Sequence, residues 1–511
     1  RSRFWFRPRG VTARVEVLTF CCRSLPFLVA QEVSVEVDAE CDLQVTAMVD
    51  PTGIGGRWLS REASFPATES QLVDGALLWE LHGGLSRCGA AYWTGFEGGD
   101  GVQRSREERD ELAPLRTTYR LRARPGRRYV LRQLAGLVPD QLHSAPDREA
   151  IRLVSMGAVL GFDRLREDNA AAWRELWRGR PVLVGAGRRW QSLADAAHYY
   201  LHASAHPSSL FGTALFGLSY WPNYHYYRGQ VMWDIEAFAF PALMLTAPDT
   251  AAALLDYRFD RLAAAQDNAA LHGHRGIQFP WASSPRRGEE ALRTDAPVIL
   301  FEQHVSLWVA LAFARLGHLT GDLEFVRDRA WPVLNGVAAW LCSRGGWTER
   351  GFEIKGVLGM AEQREAPVDN DAVMNMPAAV VMEEAARAAA RLGRDLDAGR
   401  WGRVAREMFL PRDGDVMLNH DRFTAAESGV TGATPEALAG IFPGGYRLPP
   451  AVEAATLDFY LDRVDPYLGS PMFSAPLGVF AAWRGRRDQS ASLFEAGYAE
   501  FAFEPFSETH E

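Results

Sequence analysis

Hydrophobic and polar residues alternate at period two through residues 14–20, 32–37 and 44–49, as in strands with one buried face. Asp50-Pro51-Thr52-Gly53 and Arg124-Pro125-Gly126 supply turns, so residues 1 to about 155 read as β-rich. Short strands at this spacing predict a β-sandwich rather than a parallel α/β sheet. The stretch 160–182 reads as helical, and from about 188 helical periodicity takes over. Residues 192–203 and 302–316 form two such helices, the second ending near Gly317. Residues 324–342 set Val333, Leu334, Val337, Ala338 and Leu341 on one face, with Asp322 placed as the N-cap. Asn375 is expected to cap a helix running to Leu392 with Pro377 in its first turn, and further helices fit 396–408, 450–463 and 474–495. Many antiparallel helices joined by unequal loops predict an α-toroid with its pocket at the long-loop end. The expectation is a multidomain β + α chain: a β-sandwich domain over 1–158, a helical linker over 159–187 and a helical catalytic domain over 188–511.

Composition narrows the partners. A net charge of −9 without a basic block argues against nucleic acid or an anionic membrane surface. Five cysteines, an odd number with no Cys-x-x-Cys pair, point to neither a disulfide framework nor a zinc site. No apolar run reaches 18 residues, so no transmembrane helix is expected. The chain opens at Arg1 rather than methionine, as a piece of a longer protein would, so a missing signal peptide carries little weight. Cytoplasm is the default expectation.

Chemistry concentrates where carboxylates sit among aromatic residues and glycines. Aromatic faces stack on the C–H faces of a pyranose, while carboxylates bond its hydroxyls and move its protons. In Trp233-Asp234-Ile235-Glu236 that reading makes Trp233 a wall and Asp234 a hydroxyl acceptor. The plainer reading is a helix start whose acidic residues suit the dipole. Phe279-Pro280-Trp281, followed by Gly288-Glu289-Glu290, is a second aromatic–acidic loop, with Trp281 as its candidate. Gly359-Met360-Ala361-Glu362 leads towards Asp369 and Asp371, where like charge and burial would raise a carboxyl pKa as a general acid needs. A solvated acidic loop capping the next helix is the plainer alternative. His198, His202 and His206 share a helix face near Asp195, but Pro207 ends that helix and no Glu follows the first His, so they read as packing. Neither a Gly-x-Ser-x-Gly nucleophile, a P-loop nor a dinucleotide fingerprint is found. No cofactor or metal is called for.

Taken in this order, the strings resemble glycoside hydrolase family 65, in its hydrolase branch. Trp233-Asp234-Ile235-Glu236 matches the family's Phe-Trp-Asp-x-Glu from its second position. Tyr257-Arg258, Phe279-Pro280-Trp281 and Trp331-Pro332-Val333-Leu334 follow in family order, and Val368-Asp369-Asn370-Asp371-Ala372 stands for Val-Asp-Asn-Asn-Ala. The resemblance implies a β-sandwich, a helical linker and an (α/α)6 barrel. It places the family's Gly-Pro-Asp-Glu-Tyr on residues 359–363, so Glu362 inherits the general-acid role. Ala361 and Gln363 depart from that pattern, and Glu365 is the nearest rival. Phosphorylases of the family share a phosphate-holding Ser-Ser-Leu-Ser run followed by His; here Pro471, Met472 and Gly478 stand in that stretch. The hydrolase branch carries a base in a Pro-Phe-x-x-x-x-Glu context, which Pro505 and Phe506 map onto Glu511, with Glu508 as alternative.

The expected function is therefore an inverting α-glycosidase hydrolysing a small α-glucoside. The alternatives are an inverting disaccharide phosphorylase and an inactive carbohydrate-binding homologue; Ala361 in place of the family's Asp, and Glu453-Ala454 where the family has Lys-Gln, keep the latter open. The expected partner is a small carbohydrate, without nucleic acid or membrane, and a homodimer is left open.

Overall fold

The structure is a computed structural model describing residues 1–8, 10–50, 54–62, 73–81, 86–106, 115–210, 230–292, 297–360, 366–424, 435–465, 468, 471–503 and 508–509. The chain divides into two compact units, Arg1–Arg178 and Gly179–Glu511.

Among its described residues the first unit holds ten strands: β1 (Ser2–Phe6), β2 (Ala13–Cys21), β3 (Leu28–Val37), β4 (Cys41–Val49), β5 (Gly56–Glu62), β6 (Gly75–Leu81), β7 (Arg87–Glu97), β8 (Gln103–Arg106), β9 (Leu115–Ala123) and β10 (Arg128–Pro139). Seven form an antiparallel sheet in the order β1-β2-β3-β10-β7-β6-β5, and three form a second in the order β4-β9-β8. The period-two pattern buries both faces of the larger sheet. Val35, Val37 and Tyr129 meet Leu121 and Ala123 of the smaller sheet, and Leu28, Ala30 and Leu134 on the opposite face meet a helix. Hydrogen bonds between Tyr92 and Thr117 and between Thr94 and Tyr119, each 2.9 Å, cross between the sheets.

That helix, α1 (Pro146–Leu160), lies partly inside the stretch that alternation assigns to strands. Its proline opens the first turn, and Ala150, Ile151 and Val154 enter the sheet's core. Gly89 permits the approach, because a Cβ there would collide with the backbone of Pro146 and Asp147. The helical stretch expected near 160–182 is α2 (Phe162–Leu176), which begins after Gly161 at φ 87.

The second unit is helical: α3 (Arg188–Ser204), α4 (Phe240–Thr246), α5 (Pro248–Phe259), α6 (Leu262–Leu271), α7 (Pro297–Phe301), α8 (Val305–Thr320), α9 (Leu323–Phe325), α10 (Trp331–Arg344), α11 (Ala372–Arg391), α12 (Asp395–Arg406), α13 (Glu436–Ile441), α14 (Pro450–Leu461), α15 (Pro471–Trp483) and α16 (Arg487–Gly497). A short hairpin, β11 (Gly346–Thr348) with β12 (Gly351–Glu353), follows α10. Asp322 caps α9 as expected, accepting from the N–H groups of Glu324 and Phe325, and a π-helical turn, Val326–Ala330, carries the chain into α10. Val333, Leu334, Val337, Ala338 and Leu341 are all buried in the main core with Trp308, Trp340 and Phe313. Removing each large apolar side chain from water contributes roughly 1.5–3 kcal/mol.

Three helix boundaries differ from the sequence reading. α8 ends at Gly321, which adopts φ 66, while Gly317 is an interior residue packed beside Val326. α11 is capped by Asp371, whose Oδ1 accepts from Val373 N–H at 2.9 Å, so Pro377 sits in the helix interior. Asn375 cannot cap, because its amide donates to Asn370 Oδ1 and Phe409 O. The single helix expected over 474–495 is two, α15 and α16, divided where Gly485 takes φ 72.

Candidate active site

The first aromatic–acidic string is anchored by an antiparallel bridge: Val231 and Ser283 exchange both backbone hydrogen bonds at 3.0 Å. The bridge puts Trp233 and Trp281 each two residues from a common anchor. Past it the chain enters a π-helical turn, Ile235–Ala239, and then α4, with Pro241 in its first turn. Asp234, at the start of the turn, is half-buried. Trp233 is buried, with His304 edge-on at 4.7 Å and Trp308 stacked at 5.7 Å. Trp281 is buried as well, whereas Asp234 keeps partial access to solvent.

An ion pair that sequence reasoning did not single out locks these loops together. Arg258 on α5 donates to both oxygens of Glu236, Nε–Oε1 at 2.6 Å and Nη2–Oε2 at 3.0 Å, and from Nη1 to Ser283 Oγ at 2.8 Å. Burial alone would lower the Arg258 pKa, but the Glu236 carboxylate outweighs it and the net shift is upward. Its neighbour Tyr257 donates to Ser284 O at 2.8 Å. Glu290 then fixes the Trp281 loop, accepting from the backbone N–H groups of Trp281, Ala282, Ala291 and Leu292 at 2.8–3.2 Å. Burial raises the Glu290 pKa and those four donors oppose the rise. Tyr257-Arg258 and Glu236 stand in the family-like strings, but only the fold shows that they pair.

The chain leading towards Glu362 comes from the other direction and meets the same core, for Met360 and Trp233 belong to one cluster. Leu358 N–H donates to Phe301 O at 2.9 Å, and Val357 and Val368 pair across an antiparallel bridge. A Cβ at Gly359 would collide with carboxylate oxygens of Asp371 and Glu436, both fully buried, so glycine is required there. Asn370, at φ 56, donates to Glu353 Oε2 at 2.7 Å and Asp421 Oδ2 at 2.9 Å. Burial raises the Glu353 pKa, but bonds from Arg350, Thr348 and Asn370 outweigh it and hold the carboxyl at about 2.

Glu362, its rival Glu365, and Glu511 lie outside the described residues; Glu508 is described only as backbone, in a two-residue strand. Among the described residues no cluster of three His, Cys, Asp or Glu could hold a metal ion, and no helix is long and apolar enough to cross a membrane. His198 and His202 are buried on α3 with their rings 4.4 Å apart. His304 escaped the sequence reading because it stands alone before an apolar helix. Its Nε2 is 3.4 Å from Glu302 Oε1, which would favour a proton, yet complete burial dominates and holds its pKa down at about 3.

Comparison with known proteins fits this geometry. Residues 224–433 match the glycosyl hydrolase family 65 central catalytic domain. A kojibiose hydrolase of Flavobacterium johnsoniae is 30% identical over 301 residues, 58% of this chain and 43% of that protein. A protein-glucosylgalactosylhydroxylysine glucosidase of Danio rerio is 29% identical over 335 residues, 63% of this chain and 50% of its own length. The chain thus spans about half the length of the curated relatives it matches. A solved structure titled as a putative kojibiose phosphorylase from human microbiome superposes with a TM-score of 0.79, covering 96% of this chain and 69% of that one at 14% identity, and so shares its fold. Over residues 224–433, the chain is therefore similar to the central catalytic domain of glycosyl hydrolase family 65.

Proposed function

We propose that this chain acts as an inverting α-glycosidase on a small α-glucoside, from an (α/α)6 barrel whose pocket is lined by the loops described above. Glu362 protonates the glycosidic oxygen as the C1–O bond breaks. Glu511 takes a proton from the water that attacks the opposite face of the sugar. Inversion follows from a single displacement, and two carboxyls in these roles stand roughly 6.5–9.5 Å apart. Asp234 accepts from sugar hydroxyls, with Trp233 and Trp281 backing the wall. Kojibiose and glucosylated hydroxylysine glycosides are the first substrates to try, because the hydrolase relatives are named for them.

The observation that carries this reading is the meeting, in one buried core, of the Trp233–Glu236 string with the chain that leads to Glu362. A pocket for acid-assisted sugar cleavage needs both at one place. The rival reading, a phosphorylase, draws on the fold shared with a putative kojibiose phosphorylase. Against it, Gly478, which stands where the phosphorylases have histidine, is buried in α15 and offers no side-chain donor, and Pro471 offers no N–H for phosphate. Sugar release from kojibiose with and without inorganic phosphate decides between them. Equal rates of glucose release, abolished in Glu362→Gln, are expected; glucose phosphate as product would overturn the hydrolase reading. Sugar binding without turnover, unaltered by Glu362→Gln, would identify a binding protein.

A further inference from the structure

Arg344 ends α10, and its guanidinium joins two segments distant in sequence. Nε donates to Gln303 Oε1 at 2.7 Å, and Nη2 donates to the carbonyls of Lys355 and Gly356 at 2.6 and 3.0 Å. Gln303 is itself buried and fixed, its amide nitrogen donating to Leu300 O at 2.8 Å. The next residue, His304, sets its ring edge-on against Trp233 at 4.7 Å. Two residues past Gly356, Leu358 N–H reaches Phe301 O. One side chain and one backbone bond therefore hold the segment behind Trp233 against the segment that leads, four residues later, to Glu362. A planar fork is suited to such a junction because it bonds in two directions at fixed angles, whereas a lysine ammonium is a single point on a flexible stem.

We propose that Arg344 is a positioning residue that fixes the approach to Glu362 relative to the Trp233 wall, and so sets the acid against the glycosidic oxygen. The inference rests on Glu362 being the general acid of the proposed function. Its consequence is selective, because only leaving groups that need a proton depend on where the acid stands.

The test compares the disaccharide hydrolysed best with α-glucosyl fluoride, whose leaving group departs without protonation, in wild type, Arg344→Met, Arg344→Lys, Gln303→Leu and Glu362→Gln. Arg344→Met is expected to lower kcat on the disaccharide by about 100-fold, the effect of an ångström-scale misplacement. KM should stay within about threefold, since the ground-state contacts to the sugar are untouched. On the fluoride, kcat should fall less than about fivefold, because the acid is not used. Arg344→Lys should resemble Arg344→Met, and Gln303→Leu, which spares the two carbonyl bonds, should show the same split at smaller size. Circular dichroism and the unfolding midpoint report folding, and Gln303→Leu decides if Arg344→Met does not fold. Equal losses on both substrates, or no loss on either, would overturn the role of Arg344 alone. A Glu362→Gln enzyme that keeps its disaccharide activity would instead overturn the acid assignment, and this inference with it.

Discussion

Glu236 and Arg258, which fasten the Trp233 side of the candidate site, expose 2% and 1% of their side chains; Arg350, which fastens Glu353 on the Glu362 side, exposes 45%. Both pairs are bonded and both hold loops, yet water reaches only one of them. Where both charges are desolvated, removing one strands the other without solvent. Where the cation is half in water, solvent and ions compensate for much of its loss. The Trp233 side is therefore expected to be the more rigid, and the Glu362 side to depend on the hydrogen bonds of Asn370 more than on the Arg350 ion pair.

The largest effect should come from Arg258→Met, which leaves Glu236 buried and unpaired and should cost about 3–5 kcal/mol in urea unfolding. Adding Glu236→Leu should recover much of that loss; a double variant no better than the single one would mean that packing, not charge, fastens this side. Next is Asn370→Ala, expected to lose about 1–3 kcal/mol, because it leaves Glu353, Asp421 and Ile354 N–H short of a partner at a backbone φ that alanine resists. Asn370→Gly removes the same bonds without the backbone penalty and should fall between Asn370→Ala and wild type. Arg350→Gln should cost less than about 1 kcal/mol, with the difference shrinking as salt is raised. A loss as large as that of Arg258→Met would erase the contrast between the two sides.

Acid titration should separate the sides by pH. The folded pKa of His304 is depressed to about 3, so the unfolded chain binds the proton first. Stability is then unaffected by this ring above about pH 6.5 and declines as pH falls from there towards 3, and His304→Phe should flatten that slope. The Glu353 carboxyl is depressed from 4.5 to about 2, so its contribution is complete above 4.5 and is lost as pH falls through 2. Glu353→Gln should remove the lower step and leave the upper one. Unfolding midpoints measured from pH 7 to 2 would show both.

Much of the architecture was legible because its signals are local. Period-two alternation found β2, β3 and β4, and the face of Val333, Val337 and Leu341 found α10. Asp322 could be read as a cap because capping needs only two or three neighbouring N–H groups. Pro377 misled for the same reason: proline favours a first turn by itself, while the bonds that draw Asn375 inward come from Phe409 and Asn370. α1 was hidden because its apolar face follows directly on strand-like sequence. In the site, Trp233, Asp234 and Trp281 stood out as residue types in a pattern. The contacts that hold their surroundings, Arg258 to Ser283, His304 to Trp233 and Arg344 to Gln303, span tens of residues, which periodicity does not carry.

Acid-assisted inversion by Glu362 stands or falls on the anomer first released. Proton NMR of kojibiose hydrolysis within the first minutes after mixing reads it before the anomers equilibrate. β-Glucose should be the first product released from the α-linked residue, and none should form with Glu362→Gln. α-Glucose as the first product, or an unchanged rate in Glu362→Gln, would refute the inverting mechanism with Glu362 as its acid.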